Sequence, residues 1–462
     1  MKHYDIIIIG SGLGGLECAV LQSRAGRSVL VLERSNQPGG CMQSYRRGGK
    51  MYDTGLHYVG GLLPGQALHD EFETLGLLDL PWERMDERFD RVMIGDREYS
   101  FAQGHEQFVE CLAKEFPEDH EALKQYTQLL QNTPPETMDI SAYEYLRGLF
   151  RSPLLPEILA GTSVKMELQR DTLPLFSLAH GVNSYIQSAW RLKGDGSLIV
   201  DRLVEQIKAN GGELLCDAEV TELIEKDGQI AEAVCADGEH YAADQFVADI
   251  HPLSLCNMIK ESTRIKKVYR RRLESLENTT GMFTVSLSLR PGTVPYCNWN
   301  EYIYTDDVWS GRGLGVMVSS RVPEDGTQYT SQIDLLSRMS WNECRAWENT
   351  KVGRRGEEYK EMKERKAAEC IALAERILPN LSKCIEAKYI STPLTYRDYL
   401  GAPEGTAFGV RNDYHRSMMT YMSVLTPEPN LWLTGQNVVL PGVEGVTKCA
   451  FGGFPALQGG VL

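Results

Sequence analysis

The chain has 462 residues, 42% of them apolar and 24% charged, the balance of an ordinary globular protein with room for two or three domain-sized cores. A formal net charge of −15 excludes nucleic acid as a partner, because a polyanion needs a basic face. Eleven cysteines scattered from Cys18 to Cys449, none in a Cys-x-x-Cys pair, exclude a disulfide framework or a metal site and lead us to expect reduced thiols in a cytoplasm.

Residues 4–9 read as a buried parallel strand, because the four consecutive isoleucines Ile6 to Ile9 leave no alternation. The run is too short for a secretory leader and leads straight into glycines, and no stretch approaches the ~18 apolar residues of a membrane span. Gly10-Ser11-Gly12-Leu13-Gly14-Gly15 fits Gly-x-Gly-x-x-Gly. Residues 16–25 have helical spacing, Gly26 stops them, and residues 28–32 form a second buried strand closed by Glu33. Gly10 permits the tight turn, Gly12 lets backbone approach a pyrophosphate, and Gly15 lets the helix lie close to the strand. The helix start offers a positive dipole end to the phosphates. Glu33 lies about twenty residues on, where a carboxylate takes a ribose diol and repels the 2′-phosphate of NADP. Strand, glycines, helix, strand and acid in that order is a specific dinucleotide signal. A second glycine turn follows in residues 34–44, with Arg34, Gly39, Gly40, Cys41 and Ser44.

Further along, residues 76–189 read as mostly helical, and aromatics such as Phe101, Phe108, Phe116, Tyr143 and Phe150 would form a plain helical core or line a hydrophobic tunnel. An amphipathic helix carries Leu203 and Ile207, and strands are expected at 213–216 and 219–224. Asp227-Gly228 signals a hairpin turn into 230–234, and 241–248 ends the unit. The block 264–272, RIKKVYRRR, is basic in an acidic protein; a solvated helix face is the simpler reading, and peripheral contact with an anionic membrane the alternative. Residues 283–289 read as a strand and 360–374 as a charged, solvated helix with Glu361 and Arg365 one turn apart. The glycines at 311, 313 and 315 lack a strand-to-helix setting, so no second dinucleotide fold is expected.

Residues 34–44 resemble the glycine-pair motif of the FAD-containing amine oxidase and carotenoid desaturase superfamily, departing at Cys41, where many members carry arginine. Asp53-Thr54-Gly55-Leu56-His57-Tyr58-Val59-Gly60 resembles the carotenoid cis–trans isomerase and all-trans-retinol 13,14-reductase branch of the phytoene desaturase family. Residues 391–405 resemble the segment of that branch before its last flavin contacts, and 430–437 its carboxy-terminal flavin motif. The resemblance implies an α/β fold: a Rossmann-type FAD-binding domain of glutathione-reductase-like, amine oxidase/phytoene desaturase topology with an inserted α+β substrate domain. It divides the chain into a discontinuous FAD part, 1–75, 190–255 and 405–462, and a substrate part, 76–189 and 256–404. It also implies flavin contacts at Asp53, Gly55, Gly435, Gln436, Gly445 and Val446, adenine against the backbone at Val220, and His57 or Tyr58 as proton donor.

The activity so implied is that of a FAD-dependent oxidoreductase reducing C=C bonds of an apolar polyene or isoprenoid, as retinol saturases do. Carotenoid isomerisation or desaturation is the alternative. A cofactor-free lipid- or prenyl-binding module, like the GDP-dissociation inhibitors, is a reading of another class, and the intact glycines, Glu33 and the carboxy-terminal motif speak against it. An amine oxidase would usually show the arginine missing at Cys41. Electrons would come from a separate reductase or a transient visit by NAD(P)H.

Overall fold

A computed structural model describes residues 2–323 and 326–457. His3–Ile9 and Val29–Leu32 pair in parallel, and Ile6, Ile7, Ile8, Leu30 and Val31 are fully buried, as strands covered on both faces must be. The sheet runs in the order Glu213–Leu215, Val29–Leu32, His3–Ile9, His240–Ala248, Gln229–Cys235, Val220–Lys226. Leu431–Leu433 adds to the last residues of His240–Ala248, in parallel, with Phe246 opposite Leu431. Three distant stretches of chain thus close one sheet. Asp227 and Gly228 have φ of +54° and +80°, the two left-handed residues that a tight hairpin turn requires. Helix Leu13–Arg24 begins directly after Gly12 and packs on this sheet and against helices Ser197–Ala209 and Gly442–Leu457. A Cβ on Gly15 would press into the Gly10 carbonyl oxygen, so the close crossing of helix and strand depends on that glycine.

A second sheet orders Ile385–Ser391, Gly281–Leu289, Gln332–Met339, Gly315–Ser320, Asn300–Tyr304, Arg88–Ile94 and Arg97–Ala102. Asn300–Tyr304 lies parallel to Arg88–Ile94, which sets Asp90 beside Asn300. The mostly helical reading of 76–189 holds from residue 105 onward, but the stretch opens with strands that it missed: a hairpin turns at Gly95 (φ +61°), and Phe101 is on a strand. Helices His105–Ala113, His120–Gln131, Ala142–Leu149 and Leu175–Gln187 follow. Phe101, Phe108 and Phe150 pack into their common core, with Phe116 and Tyr143 at its margin, so the plain-core alternative holds for these aromatics. Helix Glu357–Ala374 is likewise solvated on one face only. It buries Met362, Ala367, Cys370 and Ile371 against the second sheet, and among the described residues the ion pair within the helix joins Glu357 to Lys360 (2.7 Å), not Glu361 to Arg365, while Lys366 and Glu364 pair outwards with Glu343 and Lys388. No helix of the described residues is long and apolar enough to cross a membrane.

Candidate active site

The carboxyl ends of the parallel strands open onto a cavity of about 470 Å³, where open α/β sheets bind their ligands and within the usual ~300–1,000 Å³ of small-molecule sites. Gly10, Gly12, Leu13, Gly14, Glu33, Arg34, Gly40 and Cys41 line it, joined by Gly55, His57, Tyr58, Val220, Gln436 and Val446. The other cofactor candidates shape the wall from behind. Gly39 (φ +120°) donates its N–H to the Ser11 carbonyl at 2.9 Å. The space of a Gly435 Cβ is filled by the Asp249 carboxylate, and Gly445 is pressed against the Leu440 carbonyl within helix Gly442–Leu457. Ser44 Oγ donates to Asp53 (3.1 Å), which also accepts the Gly196 N–H (2.7 Å) and pairs with Arg321.

The local chemistry fits a dinucleotide. A Cβ on Gly40 would lie 3.0 Å from Gly12 Cα, so the two glycine turns meet backbone to backbone in the cavity wall. Glu33 is held by the Ser11 N–H (3.0 Å), the Ser11 hydroxyl (2.5 Å) and the Ser35 N–H (2.7 Å), and its oxygens keep lone pairs for a diol. Asp249 was missed in the sequence. It follows strand His240–Ala248, accepts the Gly15 N–H at 2.9 Å, and burial pushes its carboxyl up to about 6. Burial also raises the Cys41 thiol to about 11, so Cys41 lines the cavity as a neutral, unreactive group.

Where the cavity meets the core beneath the second sheet, Val164, Met282, Met317, Leu336 and Phe408 line it. Met317 and Leu336 are direct partners on neighbouring strands of the second sheet. Met282 lies one residue before the stretch read as a strand and shares the face of Thr284, Ser286 and Ser288, so the alternation of 283–289 gave no sign of it.

His57 and Tyr58 both reach the cavity, but their chemistry differs from the sequence expectation. Burial, opposed by the Asp53 carboxylate, pushes the His57 imidazole down to about 4. It is neutral near pH 7 and so is not the acid its ordinary pKa suggested. Tyr58 donates to Asp90 at 2.7 Å, shares a 2.8 Å bond with the Tyr302 hydroxyl and receives Lys165 Nζ, and burial holds its phenol well above the usual range. Lys165 had no sequence signal: it ends the short 3-10 helix Ser163–Lys165 and also lines the cavity. Of the other cations, Arg46 and Arg47 border a second, adjoining cavity of about 1140 Å³, and Lys193 is exposed. In the basic block, Arg270 donates to the Cys256 and Ile259 carbonyls and Arg272 to that of Met419 (2.9 Å). These two guanidinium groups hold neighbouring chain in place.

Comparison with known proteins agrees with this geometry. A model of the NAD(P)-binding Rossmann-like domain matches residues 8–73. All-trans-retinol 13,14-reductase of Danio rerio is 24% identical, over 96% of this chain and 84% of its own. Prolycopene isomerase 2 of an Oncidium hybrid cultivar is 21% identical, over 98% and 83%. Among solved structures, an oxidoreductase from Methanosarcina mazei superposes with a TM-score of 0.70 at 16% identity, over 98% of this chain and 99% of that one. The chain is therefore a homologue of the all-trans-retinol 13,14-reductases and prolycopene isomerases, with the mixed α/β sheets and Rossmann-like domain that its amino-terminal motif led us to expect.

Proposed function

We propose that the protein is a FAD-dependent oxidoreductase acting on the carbon–carbon double bonds of an apolar polyene, by saturation as in its retinol reductase relatives. The observation that carries this reading is the single cavity running from the glycine cradle to the apolar face of Met282, Met317 and Leu336. Such a space can bring a flavin ring against a long apolar chain. Bound FAD would supply the redox chemistry; the protein supplies position, dryness and electrostatics. In this reading Glu33 takes the ribose and the turns at 10–15 and 39–41 take the diphosphate. Val220 lies against adenine, and Gln436 and Val446 stand at the flavin end. Residues 1–75, 190–255 and 405–462 then form the cofactor part and 76–189 and 256–404 the substrate part, consistent with the two sheets.

Cis–trans isomerisation is the second reading, favoured by one feature. The glycines at 311, 313 and 315 lie in a loop leading into strand Gly315–Ser320, with no strand-to-helix unit around them. A nicotinamide donor therefore has no Rossmann unit of its own there. It enters as a visitor, or a separate reductase serves, and an isomerisation needs no net electrons. A cytoplasmic setting, with the substrate collected from a membrane surface, belongs to the same reading. The test is to reduce the holoprotein anaerobically and add polyenes. Saturation is expected to restore the oxidised flavin spectrum, and isomerisation to shift the polyene spectrum while the flavin stays reduced. Neither change with any polyene, together with bleaching of the oxidised protein by amines, would refute the reading.

A further inference from the structure

The wall between the two sheets holds a charged cluster that neither the sequence motifs nor the cofactor cradle explains. Asp90 is completely buried, and Lys165 Nζ lies 3.3 Å from its Oδ2, with the lysine side chain 11% exposed. Tyr58 donates to the same oxygen, and Asn300 Nδ2 donates to the other at 2.9 Å. Asn300 in turn accepts from Arg191 at 2.7 Å. The ammonium lies 3.7 Å from the centroid of Tyr185 and 4.7 Å from that of Tyr58, rings that favour a cation. Lys165, Tyr58 and Tyr185 line the cavity, whereas Asp90 does not. Four further elements converge on the 3-10 turn of Lys165: the loop carrying Tyr58, strand Arg88–Ile94, strand Asn300–Tyr304 with Tyr302, and helix Leu175–Gln187 with Tyr185. Arg338 faces the same turn, donating to the Ser163 and Met166 carbonyls.

We propose that Lys165 is the proton donor to the substrate carbon, held in place by Asp90 and Tyr58 at the point where the cavity meets the second sheet. The inference rests on the polyene reading above. A buried ion pair with a purely structural role would be sealed from the ligand space, and this lysine opens onto it. In a saturation, one carbon of the double bond takes the hydride equivalent that a bound reduced flavin supplies. Its neighbour takes a proton from Lys165 Nζ. The C=C bond becomes CH–CH, the flavin is left oxidised by two electrons, and Lys165 is left as a neutral amine that regains a proton from water between turnovers. Two of the three ammonium N–H groups are engaged by Tyr58 and Asp90, and the third remains for this transfer. The two candidates read from the sequence are less suited: His57 is neutral near pH 7, and burial holds the Tyr58 phenol well above the usual range. Burial, partly offset by Asp90, lowers the Lys165 ammonium to about 8, near the value at which a general acid is effective at neutral pH.

The test pairs turnover with a titration that needs no substrate. Polyene turnover by the wild-type holoenzyme should fall as pH rises through about 8, because the active form is the protonated one. Lys165→Arg keeps the charge beside Asp90 but cannot release its proton in this range. It should lower turnover about 100-fold or more while flavin content, flavin reduction and polyene binding stay at wild-type levels. In protein labelled with 13C-lysine, the resonance missing from Lys165→Arg should titrate near 8 and move lower in Asp90→Asn, which removes the stabilising carboxylate. Wild-type turnover of polyenes with Lys165→Arg equally active, or a Lys165 resonance titrating near the ordinary ~10.4, overturns this inference alone. A wild-type holoenzyme that turns over no polyene overturns the functional reading beneath it.

Discussion

Gly12→Val protein is expected to emerge from purification folded but colourless. Gly12 lines the cavity at the helix start, and a Cβ there would drive into the Asp249 carboxylate, which is bonded to the Gly15 N–H. The Gly40 turn packs on the same backbone, with its own Cβ position 3.0 Å from Gly12 Cα. A branched side chain therefore displaces Asp249 and spreads the two turns that line the cavity. Overpacking of this kind costs about 1–3 kcal/mol, and because the cradle must close around the dinucleotide that strain falls on binding. The expected loss in FAD affinity is about 100-fold, at about 1.4 kcal/mol per factor of ten, with the melting temperature close to that of the wild-type apoprotein. Stoichiometric FAD in the purified variant would refute the assignment of residues 10–15 as the cofactor turn.

Arg321→Ala is expected to be the most destabilising single change at the junction of the two sheets. Arg321 follows strand Gly315–Ser320, donates to the Met51 carbonyl at 3.0 Å and pairs with Asp53, both side chains being 9% exposed. Asp53 also fixes Ser44 and the Gly196 N–H at the start of helix Ser197–Ala209. One carboxylate thus ties the second sheet, the hairpin that follows the glycine pair and a helix of the Rossmann layer. Removing one partner of a buried pair leaves the other charge uncompensated, at a cost of about 3–5 kcal/mol. Burial already raises the Asp53 pKa against the pull of Arg321. Removing Arg321 raises it further, so the penalty in Arg321→Ala should grow as pH rises from the native wild-type value of Asp53 to the still higher value in the variant, and level off above it. Urea titrations across that range measure it. An Arg321→Ala protein as stable as wild type would show that the pair is no clamp.

The cofactor cradle could be read in the sequence because its parts are local. Ile6 to Ile9, the glycines, Glu33 and the Asp227-Gly228 turn each announce a backbone conformation within a few residues, and the parallel strands and tight turn follow from them. The junction could not be read this way. Asp90 acquires its meaning from Asn300 and Lys165, which lie more than seventy residues away in the chain, and no spacing rule links a lone lysine on a 3-10 turn to an aspartate on a strand. The hairpin bearing Asp90 was missed for a simpler reason: Gly95-Asp96 is a turn signal of the same kind as Asp227-Gly228, masked by the helical pattern that follows it. His57 shows the converse. Its place beside the cavity was foreseen, but its acidity depends on burial, a property of the packed molecule.

The central claim, chemistry on polyene double bonds at a flavin, is tested most directly by product analysis. The flavin-reduced holoprotein is incubated anaerobically with a panel of polyenes, and the products are separated and weighed by mass spectrometry. A product heavier by two hydrogens is expected, or, if the protein isomerises, a new retention time at unchanged mass. Polyenes recovered unaltered in both mass and retention, from a protein with its full complement of reduced flavin, would contradict the claim.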